Sequence, residues 1–164
     1  MNINDYNLIT DRTAADAKRV KELEKKIAEQ TATNEEITEW LKDSKGAYNA
    51  SDMNRVANAT KYIAERLKDI GIQANVTAKN DWKETDYIDA VETDAYIKDA
   101  EKIRNALNSG VRLPVLPETL EDLTLEGANA IEKNLLVQNE SINEMNKINI
   151  PSGAYCAAAV GCTK

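Results

Sequence analysis

The sequence of 164 residues contains no histidine and no phenylalanine. Without histidine the chain lacks the commonest general base, the usual activator of a Ser or Cys nucleophile, and the commonest nitrogen ligand of zinc. An enzyme of this composition would depend on carboxylates, Lys, Tyr or Cys. Because aromatic residues make up only 5% of the chain, the core is expected to consist mainly of aliphatic residues and alanine. Packed helices suit that composition best.

An excess of positive charge is also lacking. Lys and Arg number 21 against 28 Asp and Glu, which gives a net charge of -7. Binding to nucleic acid requires a clustered basic surface, and the sequence contains no such cluster. No apolar run approaches the roughly 20 residues of a membrane-spanning helix, and the first residues do not resemble a signal peptide. The sequence therefore predicts no nucleic-acid partner, no membrane partner and synthesis in the cytoplasm.

Cysteine is scarce, since Cys156 and Cys162 are the only two in the chain. Their spacing permits a disulfide, but a reducing cytoplasm would delay it until release. Metal binding would need two further ligands from a chain without histidine, so neither a metal site nor a cofactor is predicted. The favoured interpretation is two small apolar residues that pack on a partner, and a disulfide between them is the alternative.

Apolar residues recur at intervals of three and four over four long segments, the pattern of amphipathic helices. These segments cover residues 13–30, 51–70, 96–107 and 124–148. A shorter helical pattern begins at Thr33 or Asn34 and places Ile37, Trp40 and Leu41 on one face. These patterns predict four main helices and one short extra helix.

Polar residues and glycine mark the expected ends of the helices. Ser51 and Thr124 are expected to act as N-caps, and Gly71 stands where a left-handed residue ends a helix. Residues 72–78 alternate apolar and polar side chains, which predicts an extended connector, because one strand alone cannot form a sheet. The predicted fold class is all-α: a compact bundle of about four main helices with a short extra helix, an extended connector and irregular N- and C-terminal tails.

The chain divides into three parts by pattern. Residues 1–10 have no periodicity and predict an N-terminal arm, residues 11–150 form the helical bundle domain, and residues 151–164 form a C-terminal tail. Pro114 and Pro117 cannot lie inside a helix. Residues 111–119 are therefore a linker and a potential sub-boundary, and their apolar side chains are expected to lie against the domain.

Three groups of residues have both a functional and a structural interpretation. The first consists of the carboxylates of Asp86, Asp89, Glu118, Glu121 and Asp122. Their spacing matches no EF-hand and does not show two carboxylates facing each other. Solvated surfaces and helix N-termini therefore explain them better than calcium binding or acid-base catalysis.

The second group is aromatic and comprises Trp40, Tyr48, Tyr62, Trp82, Tyr87 and Tyr96. These side chains would suit a sugar-binding platform, but at helical spacing aromatic residues more often anchor a core or an interface. The third group comprises Asn49, Asp52, Asn54 and Arg55. Helix capping and a local ion pair explain these better than a ligand site. No catalytic residue is predicted.

The most distinctive stretch is residues 45–56, in which a glycine-bearing loop leads directly into the second long helix. It belongs to an ordered series of motifs at residues 9–13, 20–23, 40–41, 45–56, 62–67, 81–82 and 120–124, at Ala128, Asn129, Ile131 and Glu132, and at residues 135–136. Together these motifs resemble a helical module that recurs in structural proteins of Firmicute phages and prophages, often beside tail, baseplate or fibre components. The resemblance covers roughly residues 9–148.

The resemblance implies a non-enzymatic phage virion structural protein, either an accessory subunit of the tail or baseplate or a head decoration protein. It implies assembly in the host cytoplasm, other virion proteins as partners, and a homo-oligomer or several copies per particle. The irregular termini are the predicted docking segments, and the residues predicted to contact partners are Ile3, Tyr6, Leu8, Ile150, Tyr155 and Val160. The alternative is a receptor- or cell-wall glycan-binding module that uses exposed Trp and Tyr.

Overall fold

The computed structural model describes residues 2–87, 89–107 and 111–148. Throughout these ranges the regular structure is helical and none of the residues belongs to a β-strand. The helices are α1 (Ala14–Ala28), α2 (Asn34–Thr38), α3 (Ala50–Asp69), α4 (Ala90–Ala106) and α5 (Leu125–Ile148). A 3-10 helix (Ile3–Tyr6) precedes α1, and a π-helical turn (Glu39–Asp43) continues α2. The predicted all-α class, with four main helices and one short helix, is confirmed.

The main hydrophobic core lies between α3, α4 and α5, which pack against one another. Its fully buried aliphatic side chains come from all three helices and include Ile63, Leu67, Ile103, Ile131, Leu135 and Ile142. Residues four apart on a helix share a face, which explains how each helix presents a continuous apolar stripe. Burying one such side chain contributes about 1.5–3 kcal/mol. These three helices are therefore the scaffold on which the other segments pack.

The start of α3 differs in one respect from the prediction. Asn49, rather than Ser51, is the N-cap: its Oδ1 accepts from the backbone N–H of Ser51 at 2.9 Å and of Asp52 at 3.2 Å. The Asp52 carboxylate accepts from the Asn49 N–H at 3.0 Å and completes a capping box. The prediction of Ser51 was wrong because Ser51 already lies within the helix, whereas Asn49 keeps the extended backbone that an N-cap requires.

Substitutions at Asn49 and Ser51 test the assignment of Asn49 as the N-cap of α3. Asn49→Ala is expected to lower the free energy of unfolding by about 1 kcal/mol, the usual effect of losing an N-cap. Ser51→Ala removes only the exposed bond from Ser51 Oγ to Asn49 Oδ1 at 2.7 Å and leaves the cap in place, so it should lower the free energy of unfolding by less than about 0.5 kcal/mol. Urea unfolding followed by circular dichroism measures both. An equal loss for the two variants would contradict the assignment.

The other two helices form a side layer. α1 contacts α2 and the π-helical turn, and the Arg19 guanidinium binds the Glu39 carboxylate through two hydrogen bonds of 2.9 and 2.7 Å. The apolar face predicted for this segment is present, but Ile37, Trp40 and Leu41 remain 38%, 37% and 41% exposed. Part of this face is therefore open to solvent.

The predicted extended connector joins α3 to α4. Gly71 ends α3 with φ of 85°, as predicted for a left-handed residue. Along residues 72–78 the apolar side chains alternate toward the bundle, and the Asp99 carboxylate accepts from the N–H of Ala78 at 2.6 Å. Buried Trp82 completes the attachment, because Asn54 bonds both its N–H and its carbonyl oxygen at 2.7 and 2.8 Å.

The described part of the proline-containing linker also lies against the bundle, as predicted. The carbonyl oxygen of Pro114 accepts from Arg104 Nε at 3.2 Å and from Asn134 Nδ2 at 3.1 Å. These bonds attach the linker to both α4 and α5. Val115, by contrast, is 81% exposed.

Residues 2–10 pack on the bundle and do not extend away from it. Ile3 is 4% exposed and belongs to the main core, and the Tyr6 ring lies 5.6 Å from the ring of Tyr62 on α3. Ile3 therefore contacts the chain's own core, and its predicted contact with another protein stays a prediction. Tyr6 and Leu8 are half-buried against the same core, and their contact with a partner stays a prediction.

Candidate functional site

Four charged side chains meet in the interior, where the N-terminal segment, α3 and α5 converge. Arg12 Nη2 donates to Asp52 Oδ1 at 2.9 Å and to Glu132 Oε1 at 2.7 Å. Arg55 Nη2 donates to the same two oxygens at 2.5 and 3.0 Å. The side chains of Arg12 and Glu132 are 1% and 0% exposed. Two cations balance two anions, which is the condition for burying charge at tolerable cost.

Further hydrogen bonds fix the N-terminal segment to α5 at this point. Glu132 Oε2 accepts from the Ile9 N–H at 2.6 Å, and Arg12 Nη1 donates to the Ile9 carbonyl oxygen at 2.8 Å. The Asn129 side chain bonds the backbone N–H and carbonyl oxygen of Arg12 at 2.9 and 3.0 Å. Bonds to charged groups are among the stronger ones in proteins. The segment entering α1 is therefore held rigidly on the bundle.

Two tyrosines lie next to the charged group. The Arg12 guanidinium carbon lies 5.3 Å from the centre of the Tyr48 ring, within range of a cation-π interaction. The Tyr48 and Tyr96 hydroxyl oxygens are 2.5 Å apart and share a hydrogen bond. Burial raises the pKa of both hydroxyls above the ordinary tyrosine value. Both tyrosines therefore stay protonated and connect the loop before α3 to α4.

The same loop is held close to α1. A Cβ atom on Gly46 would lie 2.3 Å from the carbonyl carbon and oxygen of Asp16 and 2.5 Å from the backbone nitrogen of Ala17. Only glycine permits this approach of backbone to backbone. On the outer side, Lys45 Nζ pairs with the Asp11 carboxylate at 2.9 Å. The loop is thus wedged between α1 and the charged group.

An open cleft of about 1030 Å³ lies beside these residues. Its walls include Arg12 and Tyr48, Ala17 of α1, Asp94 of α4, and residues 119–121 and 123–125. The volume is at the upper end of the roughly 300–1,000 Å³ that is typical of ligand pockets. Because segments far apart in the sequence contribute to it, the cleft exists only in the folded chain. We take it as the candidate binding site of the described residues.

The aromatic residues considered for a sugar-binding platform do not present a shared surface. Trp82 and Tyr96 are buried, Tyr48 and Tyr62 are half-buried, Trp40 is 37% exposed and Tyr87 is 95% exposed. A stacking platform needs open ring faces, so only the last two of this set qualify. The glycan-binding alternative stays a prediction that depends on Trp40 and Tyr87.

Two of the five carboxylates, Asp86 and Asp89, bond to other groups of the chain, and Glu118, Glu121 and Asp122 are exposed. Asp86 accepts from Lys79 Nζ at 2.8 Å and from the Lys83 N–H at 3.1 Å, and the hydrogen bond from Lys79 lowers the pKa of Asp86. Asp89 is the N-cap of α4. In residues 2–87, 89–107 and 111–148 no three Cys, Asp or Glu side chains are arranged to hold a metal ion.

Five residues of the predicted sites lie outside the described residues. These are the predicted partner contacts Ile150, Tyr155 and Val160 and the cysteines Cys156 and Cys162. Their roles stay predictions.

The partnership of Arg12 with Glu132 was missed by sequence reasoning, because 120 residues separate them. One signal was present in the sequence. Glu132 lies four residues after Ala128 and three before Leu135, on the face of the helix that these apolar residues share, and a charge in that position indicates a buried partner.

Comparison of the chain with protein-family models, with curated proteins and with solved structures gave no match. No helix in the described part of the chain is both long and apolar enough to cross a membrane. We therefore infer the function of the chain from the motif series and from the geometry of the charged group and the cleft.

Proposed function

We propose that this chain is a non-enzymatic structural protein of a phage virion, an accessory subunit of the tail or baseplate or a decoration protein of the head. The proposal includes other virion proteins as partners, several copies or a homo-oligomer in the particle, and assembly in the host cytoplasm. It includes no nucleic-acid partner and no membrane partner.

One observation carries the proposal: the motif residues that resemble the phage module bind to one another. Arg12, Asp52, Arg55, Asn129 and Glu132 come from three separate motifs and form a single internal network. Each of these side chains has a partner within the chain, so the motif series specifies a rigid framework. A framework of this kind supports an architectural role better than a catalytic one.

Exposed apolar residues supply surface for docking. Besides the partly open face of α2, Val91, Val111 and Val115 are more than half exposed. We propose that these exposed apolar side chains contribute to contact with other proteins. The predicted docking role of residues 151–164 is retained as part of the proposal.

Mass spectrometry of purified phage particles tests the proposed function. Particles of the phage that encodes this chain, purified on a density gradient, should contain the chain in a fixed ratio to the major capsid protein. An abundant cytoplasmic protein of the host is the control for trapped material. Its ratio to the major capsid protein should decrease with each successive gradient. Loss of the chain together with that control would contradict the proposal.

A further inference from the structure

We propose that the cleft beside the charged group binds a peptide segment that presents a large apolar side chain next to a lysine or arginine. We assign the segment to another virion component, and this assignment rests on the proposed function. The apolar and basic character of the segment is inferred from the cleft alone. The lining of the cleft includes none of residues 2–10, the described part of the predicted N-terminal docking arm.

The large apolar side chain of the proposed peptide is inferred from the residues that line the cleft. Leu120, Leu123, Leu125, Met53 and Ala128 line the cleft together with small alanines. Covering apolar surface of this kind is favourable at about 25 cal/mol per Å², so an apolar side chain is the natural occupant.

The polar groups of the walls are largely engaged within the chain. Thr93 Oγ1 donates to the Asp89 and Ala90 carbonyl oxygens at 3.2 and 3.0 Å. Thr124 Oγ1 accepts from the Gly127 N–H at 3.0 Å. A polar small molecule would need several free groups to fix its orientation, and the carboxylates of Asp94 and Glu121 are the exposed charged groups of the wall. An apolar anchor on a peptide has no such requirement.

The lysine or arginine of the proposed peptide is inferred from the charged residues at the cleft. Arg12 belongs to the wall, but Asp52 and Glu132 neutralise it. Asp94 and Glu121 at the cleft are exposed, and Asp94 has only a loose pairing of 3.6 Å with exposed Lys98. The electrostatic potential at the cleft is therefore negative. The whole chain also has a negative net charge, -7. A cation beside the apolar anchor complements this potential.

Selection from a random library of displayed dodecapeptides on the immobilised full chain tests the inference. The enriched peptides should share a large apolar residue within about three positions of Lys or Arg, a spacing at which neighbouring side chains reach both wall and rim. A synthetic peptide of the consensus then gives Kd by fluorescence anisotropy. Enrichment of acidic peptides, or no shared pattern, would overturn the inference.

Two variants locate the binding. Ala17→Trp fills the cleft and should weaken binding of the consensus peptide by about tenfold or more through steric clash. Ala15→Trp, exposed on the same helix and outside the cleft, is the matched control and should leave Kd unchanged. Unchanged binding by a folded Ala17→Trp chain would place the peptide elsewhere and overturn the inference.

A charge variant keeps the test decisive if Ala17→Trp fails to fold. The double change Asp94→Asn and Glu121→Gln alters two exposed residues and should weaken binding by about two- to fivefold at low salt. The difference from the unaltered chain should shrink at high salt, and no effect at low salt would refute the basic requirement. The peptide tests use the purified chain, so their failure and absence of the chain from the virion are separate results.

Discussion

Glu132→Gln is expected to lower the free energy of unfolding by about 3–5 kcal/mol, the effect of removing one member of a buried ion pair. In the variant, Arg12 and Arg55 would share the single carboxylate of Asp52, which leaves one buried positive charge unbalanced. Glutamine retains the volume of the side chain, so packing is largely preserved. The lost free energy of unfolding therefore measures the effect of removing the negative charge. Urea unfolding with linear extrapolation measures it.

Glu140→Gln is the matched control because it makes the same substitution on an exposed face of the same helix. It should change stability by less than about 0.5 kcal/mol. The double variant Arg12→Met with Glu132→Gln removes one cation and one anion and leaves Arg55 paired with Asp52. Its loss should be smaller than the sum of the two single losses, since the groups are coupled. Equal losses for Glu132→Gln and Glu140→Gln would show that the network does not hold the fold.

Those features of the fold that depend on local sequence were predictable. The periodicity of apolar residues located the four main helices, because side chains three and four apart meet on one face regardless of tertiary context. Gly71 ends α3 as predicted, since its φ of 85° is a conformation that glycine adopts without penalty. The N-cap role of Thr124 is confirmed by its bond to the Gly127 N–H. Each of these depends on a few neighbouring residues.

Features that depend on distant residues were not predictable. The Ile9 N–H and the Glu132 carboxylate are 123 residues apart in the chain, and no local pattern pairs them. Residues 2–10 lack periodicity, so the sequence indicated an arm that packs on something but not what it packs on, and Ile3 is buried in the chain's own core. The predicted local ion pair of Arg55 is present with Asp52 at 2.5 Å, but the sequence did not indicate that Arg55 also bridges to Glu132 on α5. Tertiary packing decides all three.

The candidate cleft was missed for the same reason. Tyr48 was considered only as an aromatic residue and Glu121 only as one of several carboxylates, and neither pattern indicates a shared cavity. Their common position results from packing segments that are far apart in the sequence around the charged group. The stretch of residues 45–56 was recognised as distinctive, but the reason for its glycine becomes clear only when α1 is placed beside it.

Gly46→Ala is expected to be the most damaging conservative substitution in that stretch. The added Cβ would lie 2.3 Å from backbone atoms of Asp16, and a backbone, unlike a flexible side chain, cannot turn aside. The loop and α1 must therefore separate, which should lower the free energy of unfolding by about 3 kcal/mol, the upper part of the usual range for overpacking. Urea unfolding gives the global loss, and amide hydrogen exchange at residues 14–20 shows whether α1 is the element that loosens.

Gly71→Ala separates crowding from the conformational preference of glycine. A Cβ at Gly71 meets nothing within 4 Å, but the φ of 85° is strained for alanine, so a loss of about 1–2 kcal/mol is expected. Exchange at residues 14–20 should stay unchanged in that variant, because Gly71 lies at the far end of α3 from the loop. If Gly46→Ala were no more destabilising than Gly71→Ala, or if α1 exchanged at its original rate, the loop would not be wedged against α1. The cleft wall that depends on this contact would then need another explanation.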